Sequence, residues 1–240
     1  SEDPTEIRDL SEKYPEKLEQ LKGKWQQAAW DNQVFPLDEG NLVKETLRPP
    51  WEAALVEETT LYTGTPTLER WKSQQLINFR NWSVEVLVNY KSGDNGTLLA
   101  HGDQGGGYSF VVEEDELILT HNGYGETIEI NCGKFPIGES IIHLKVDPPD
   151  FLTWDIEIFL NGDLVAQRKG LVALLAMAPF QGIDIGIDRK SPVNWRLFEK
   201  YGAFPFSGEI DKVTYLPGDL TDFAGSRWVD LLKAEGTKYE

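Results

Sequence analysis

From Leu68 onward, apolar residues recur at every second position, the period of a half-buried strand. Trp82-Ser-Val-Glu-Val-Leu-Val-Asn-Tyr90 sets Trp82, Val84, Val86 and Val88 on one face. Ile142, Leu144 and Val146 share a second apolar face, and Trp154, Ile156, Ile158 and Leu160 a third. In the closing run Phe206 to Tyr215, Glu209 and Ile210 fall on opposite faces. Turn signals separate these runs: Ser92-Gly93-Asp94-Asn95-Gly96, Gly105-Gly106-Gly107, Asn122-Gly123 and Asn161-Gly162. About a dozen short strands with no interleaved helices predict an antiparallel β-sandwich.

Upstream, the period is helical. Asp3, Pro4 and Glu6 have the makings of a helix start. A first piece carrying Ile7 and Leu10 is expected to end near Lys13, because Pro15 disfavours helix in the residue before it. Pro15 then opens a second helix with Leu18, Leu21 and Trp25 on one face, and Ala28 or Ala29 continuing it. Residues 32–66 have no clear period and are punctuated by Pro36, Pro49, Pro50 and Pro66, which predicts an extended connector.

Of the 240 residues, 40% are hydrophobic and 11% aromatic, enough for a substantial core and against disorder. Forty acidic residues against 23 basic ones give a formal charge of −17, which argues against nucleic acid or an anionic membrane as partner. No apolar run reaches the ~20 residues of a membrane span. One cysteine, Cys132, excludes an intrachain disulfide, and its alternating neighbourhood predicts a small buried residue rather than a nucleophile. No basic stretch leads into an apolar one as in a secretory signal, which points to the cytoplasm; a chain opening on a helix start reads as part of something longer.

No complete reactive set is visible. Hydrolysis of a glycosidic bond on a strand face asks for a row of carboxylates, but Glu209-Ile210-Asp211 is followed by Val213 and Thr214 where the third acid belongs. Asp155 and Glu157 share a face and are expected to meet water. Gly105-Gly106-Gly107 leads into Tyr108-Ser109-Phe110, a strand, unlike a phosphate loop opening a helix. Asp103, Asp184 and Asp188 are the candidates for a structural calcium ion. Trp195 and Tyr201 are the candidates for an exposed sugar platform, with Arg189, Lys190 and Arg196 as a local basic patch for sulfated glycans.

Two blocks resemble a known family. Asp3-Pro-Thr-Glu-Ile-Arg-Asp-Leu10, then Pro15-Glu-Lys-Leu18, Leu21, Trp25 and Phe35-Pro36-Leu37-Asp38, is similar to the closing segment of bacterial arylsulfatases. Gly105-Gly106-Gly107-Tyr108, Gly182 to Gly186, Asp188, Ser191-Pro192-Val193 and Phe206 to Ile210 resemble the sandwich appended to long arylsulfatases of actinobacterial type. The resemblance implies a concanavalin A-like or laminin-G-like sandwich (a jelly roll) preceded by a short helical segment. It further implies a parent sulfuric-ester hydrolase working with formylglycine and a calcium-like metal ion. Cys132 is followed by Gly133-Lys134-Phe135, not by the family's modified-cysteine motif, so no catalytic residue or cofactor is expected in this chain.

On this reading residues 1–48 close the catalytic unit, 49–67 connect, 68–219 form the sandwich and 220–240 are a tail with helical character. The expected role is a non-catalytic accessory domain; the alternative is a carbohydrate-binding module, and a glycoside hydrolase ranks third. The expected partners are the missing catalytic domain or a second copy, docked on Leu18, Leu21 and Trp25.

Overall fold

The computed structural model describes residues 7–32, 34, 56–175 and 178–223. The chain divides into two units, 1–44 and 45–240. In the first, helix α1 (Pro15–Asp31) starts at the proline as expected. The helical piece expected before it is absent over the described residues 7–13, which form a bend and a turn closed by the Tyr14 amide on the Leu10 carbonyl. Pro15 accounts for the non-helical backbone of Tyr14, and further upstream the Asp9 carboxylate accepts from the Ser11 amide, a local turn in place of helix. Leu21 and Trp25 are more than half exposed on α1. Asp3, Pro4, Glu6, Phe35 to Asp38 and the tail beyond 223 lie outside the described residues.

The second unit is an antiparallel β-sandwich, the architecture predicted. Its strands are β1 (Thr59–Leu61), β2 (Arg80–Tyr90), β3 (Gly96–Asp103), β4 (Gly106–Glu113), β5 (Glu116–Gly123), β6 (Glu126–Lys134), β7 (Gly138–Asp147), β8 (Thr153–Leu160), β9 (Asp163–Val172), β10 (Ile183–Ile185) and β11 (Glu209–Leu220). One sheet has the order β1-β11-β2-β7-β8-β9, the other β10-β3-β4-β5-β6. Two short helices interrupt the strands, against expectation: α2 (Arg70–Ser73) and α3 (Trp195–Tyr201). Each has a side-chain cap, Glu69 accepting from the Trp71 and Lys72 amides and Asn194 from the Leu197 amide. The sandwich also begins earlier than position 68: β1 lies within the expected connector and pairs with β11. Asn122-Gly123 belongs to β5, and the turn falls two residues later at Tyr124-Gly125. Among the described residues no helix is long and apolar enough to cross a membrane.

The alternating runs do what their period requires. Val84, Val86, Ile142, Leu144 and Ile158 point inward and are almost wholly buried. Opposite them, Tyr108, Phe110, Leu117 and Leu119 close the core from the other sheet. Trp82 is its hub, with ring centroids 5.2 Å from Tyr108, 5.5 Å from Trp154 and 6.2 Å from Tyr215. A polar relay crosses the same core. His101 Nε2 meets Ser73 Oγ at 3.0 Å, His101 Nδ1 meets the Tyr108 hydroxyl at 3.1 Å, and that hydroxyl meets Tyr215 at 2.9 Å. Burial pushes His101 down to about 3, so the imidazole stays neutral and bonds through one donor and one acceptor nitrogen.

The relay makes a ranked prediction. Tyr108→Phe strips a partner from both His101 and Tyr215 and is expected to cost about 1–3 kcal/mol, whereas Tyr215→Phe removes one bond and costs about 1 kcal/mol. Urea unfolding checks the order; equal losses would show that the relay contributes nothing as a unit.

Candidate functional site

The two sheets differ in how their outer faces are finished. In the five-stranded sheet β3 and β4 are buried at every position and β5 nearly so, which requires cover on both faces. That cover comes from the chain around α3. Leu197 and Phe204 pack on Val111 and Ile118, Asn194 donates to Thr120 and Glu129, and the Val193 carbonyl accepts from Asn122. Charges close the joint: Arg196 binds Glu113 at 2.8 Å and Glu129 at 2.8 Å, and Lys200 binds Glu113 at 3.0 Å. These cations, Arg196 foremost, pull the Glu113 carboxyl down to about 2.

This placement explains the expected platform. Trp195 is exposed and stacks on Phe198, and Tyr201 stacks on Phe204 at 4.1 Å. Arg189, however, pairs with Asp184 at 2.6 Å, and Arg196 pairs with its two glutamates. Two of the three cations of the basic patch are thus matched by carboxylates of the chain itself, and Lys190 is exposed.

Asp103, Asp184 and Asp188 do fall near one another. Asp103 accepts from the Gly105 and Gln181 amides, Asp184 from Thr67 and Arg189, and Asp188 from the Val193 amide. Among the described residues no group of three or more such side chains is arranged to hold a metal ion. Burial, with the charges of Asp184 and Asp103, pushes Asp188 up to about 7. Cys132 is buried, and its thiol is pushed up to about 11.

Among the described residues of the second unit, none covers the outer face of the six-stranded sheet. Its central strands β2, β7 and β8 alternate buried with part-exposed or exposed positions, so the register sets the outward side chains in rows. One row runs Leu216, Ser83, Lys145, Glu157, Gln167 across β11, β2, β7, β8 and β9. The next runs Thr214, Glu85, His143, Phe159, Leu164. Asp155 and Glu157 sit on this face as the alternation requires.

A groove of about 500 Å³ lies over the first row and is walled by Asn81, Ser83, His143, Lys145, Asp155 and Glu157, among others. A second recess of about 450 Å³ lies further along the same face, between Leu87, Asn89, Glu139, Ile141, Glu209 and Asp211. Glu209 and Asp211 thus reach a surface recess. Val213, however, is buried in the core, and the Thr214 hydroxyl bonds Thr60, so the face holds no third acid in that row.

Desolvation lowers the His143 imidazole, with Lys145 adding to the effect and Glu85 opposing it, so it is neutral near pH 7. The acids Asp147, Asp155 and Glu157 outnumber Lys145 and Lys169 in the groove's lining. Lys169 already lies 3.8 Å from Asp155. The residues Ser83, Lys145, Gln167 and Phe159 were not singled out from the sequence. Each occupies the polar phase of an alternating strand, and only the register shows that they share rows.

No family model matches the chain, and no curated protein does. Among solved structures, the chain is similar to the CBM40 of the Ruminococcus gnavus IT-sialidase bound to alpha2,3 sialyllactose, with 14% identity and a TM-score of 0.46, over 70% of this chain and 92% of that one. The receptor-binding domain of botulinum neurotoxin type G matches with 12% identity and a TM-score of 0.39, over 64% and 38%. The Caenorhabditis elegans galectin LEC-6 matches with 9% identity and a TM-score of 0.38, over 67% and 96%. None of these is a sulfatase, and the argument for a ligand rests on the residues of this chain.

Asp188 yields a pH prediction. Its folded value of about 7 lies above the unfolded value, so the folded state binds the extra proton and stability falls as pH rises from about 4 through 7. Asp188→Asn keeps an oxygen for the Val193 amide and is expected to flatten that slope and to melt higher than the parent at pH 8. Thermal melts from pH 5 to 8 decide; parallel curves for the two proteins would refute it.

Proposed function

We propose that this chain is a non-catalytic carbohydrate-binding module that holds neutral glycans on the open face of its six-stranded sheet. One observation carries the reading: that face is uncovered among the described residues of its unit, grooved and lined by side-chain donors and acceptors beside a half-buried aromatic ring, while the opposite face of the sandwich is covered. Hydroxyl-rich ligands suit such a surface, because Ser83, Gln167, Asn81 and the carboxylates can each meet a sugar hydroxyl, and Phe159 offers an apolar patch to a ring's C–H face.

Charge selects the class. An acid-rich groove repels sulfate and carboxylate groups, and like charge brought together costs affinity. Neutral glycans carry no such cost. The sulfated-glycan alternative relied on Arg189, Lys190 and Arg196, and the charges of the two arginines are matched by Asp184, Glu113 and Glu129.

Calorimetry of the full chain against neutral and sulfated oligosaccharides tests the proposal. Neutral ligands are expected to bind and sulfated ones not to. Gln167→Ala should weaken the neutral complex roughly tenfold, the equivalent of one to two lost hydrogen bonds. Trp195→Ala, on the other side of the sandwich, should leave it unchanged. Loss of binding with Trp195→Ala but not with Gln167→Ala would move the site to α3.

A further inference from the structure

Lys145, Phe159 and His143 occupy adjoining outward positions on β7 and β8. Phe159 stands opposite His143, and Lys145 stands opposite Glu157. Lys145 Nζ lies 4.7 Å from the centroid of the Phe159 ring, so the ammonium covers the ring diagonally across the strands. His143 turns Nδ1 toward Glu85 Oε1 at 4.0 Å. At that distance no hydrogen bond forms, but the negative charge favours the proton on the nearer nitrogen, Nδ1, which leaves Nε2 as the acceptor. That Nε2 is buried and has no hydrogen-bond partner. An unpaired buried acceptor is a standing cost to the free protein, and a hydroxyl brought to it displaces no existing bond.

We propose, resting on the glycan-binding reading above, that these residues form one sugar subsite guarded by Lys145. A neutral pyranose ring lays its C–H face on Phe159, donates a hydroxyl proton to His143 Nε2, and displaces the Lys145 ammonium toward Glu157. The π face of Phe159 attracts an ammonium and polarised C–H groups for the same electrostatic reason, so the two compete for one surface. Lys145 therefore covers the apolar ring while the site is empty and sets a threshold that a ligand must exceed. A single small polyol offers too little C–H face to pass it; a pyranose ring offers enough.

The experiment compares wild type, Lys145→Ala, Phe159→Ala and His143→Ala by calorimetry against neutral gluco-, galacto- and manno-oligosaccharides, with circular dichroism as a check of folding. Lys145→Ala is expected to bind roughly two- to fivefold tighter, the size of an exposed cation–π contact. Phe159→Ala is expected to lose most of the affinity, His143→Ala to weaken it roughly tenfold, and Lys145→Ala to give no gain in a Phe159→Ala background. In the wild type, the Lys145 ε-methylene protons should carry an upfield ring-current shift that saturating ligand abolishes. Weaker binding by Lys145→Ala would make the lysine a ligand contact and overturn the guard while leaving glycan binding intact. A normal methylene shift in the free protein would overturn it too. If neither wild type nor Lys145→Ala binds any member of the panel, the subsite and the glycan reading fall together.

Discussion

A sandwich core uses one face of each sheet, and each remaining face must be covered by further chain or finished with polar groups. In this protein the core is drawn together by aromatic side chains from both sheets around Trp82, with Tyr108 and Tyr215 also joined through their hydroxyls. The two outer faces then take opposite solutions. The five-stranded sheet carries Val111 and Ile118 outward and buries them under Leu197 and Phe204. The six-stranded sheet carries Ser83, Glu85, His143, Lys145 and Glu157 outward and, among the described residues of its unit, has no such cover. The open groove is a consequence of that difference, and the proposed site on β2, β7 and β8 follows from it.

Charge follows the same division. On the covered side the basic residues close the joint: Arg196 and Lys200 converge on Glu113, and Arg189 on Asp184. These pairs hold α3 and its flanking loops on the sheet. On the open side, carboxylates outnumber the ammonium groups, and one of those ammoniums, Lys145, rests on an aromatic ring. A net charge of −17 therefore does not spread evenly into a featureless coat. It leaves an acid-rich groove, and in the proposed reading that is what narrows the ligand class to uncharged sugars.

Much of the fold was legible in the sequence. The period-two runs through Val84 to Val88, Ile142 to Val146 and Trp154 to Leu160 mark strands with one buried face, and the structure places them so. The strand β1 was not legible, because three residues between proline-marked stretches carry no period. Helix α3 was hidden because seven residues are too few to show one. The choice of face had a signal that periodicity alone did not use. Leu98-Leu99-Ala100, Val111-Val112 and Leu117-Ile118-Leu119 do not alternate, as in strands buried on both sides, whereas the alternating strands leave one side to water. The rows that build the groove needed the register, which pattern alone leaves open. The glycines behind the sulfatase resemblance also have local causes. A side chain on Gly107 would meet the His101 carbonyl, and one on Gly182 would meet the Leu68 carbonyl, so both positions answer to strand packing.

The central claim is that the uncovered face of the six-stranded sheet is the binding surface. Backbone amide shifts of the labelled chain, followed while the tightest neutral oligosaccharide of the panel is titrated in, test it most directly. The account predicts that the amides that move cluster on Ser83 to Glu85, His143 to Lys145 and Glu157 to Phe159, with α3 silent. Movement confined to Trp195 to Tyr201 and the strands beneath them would contradict it.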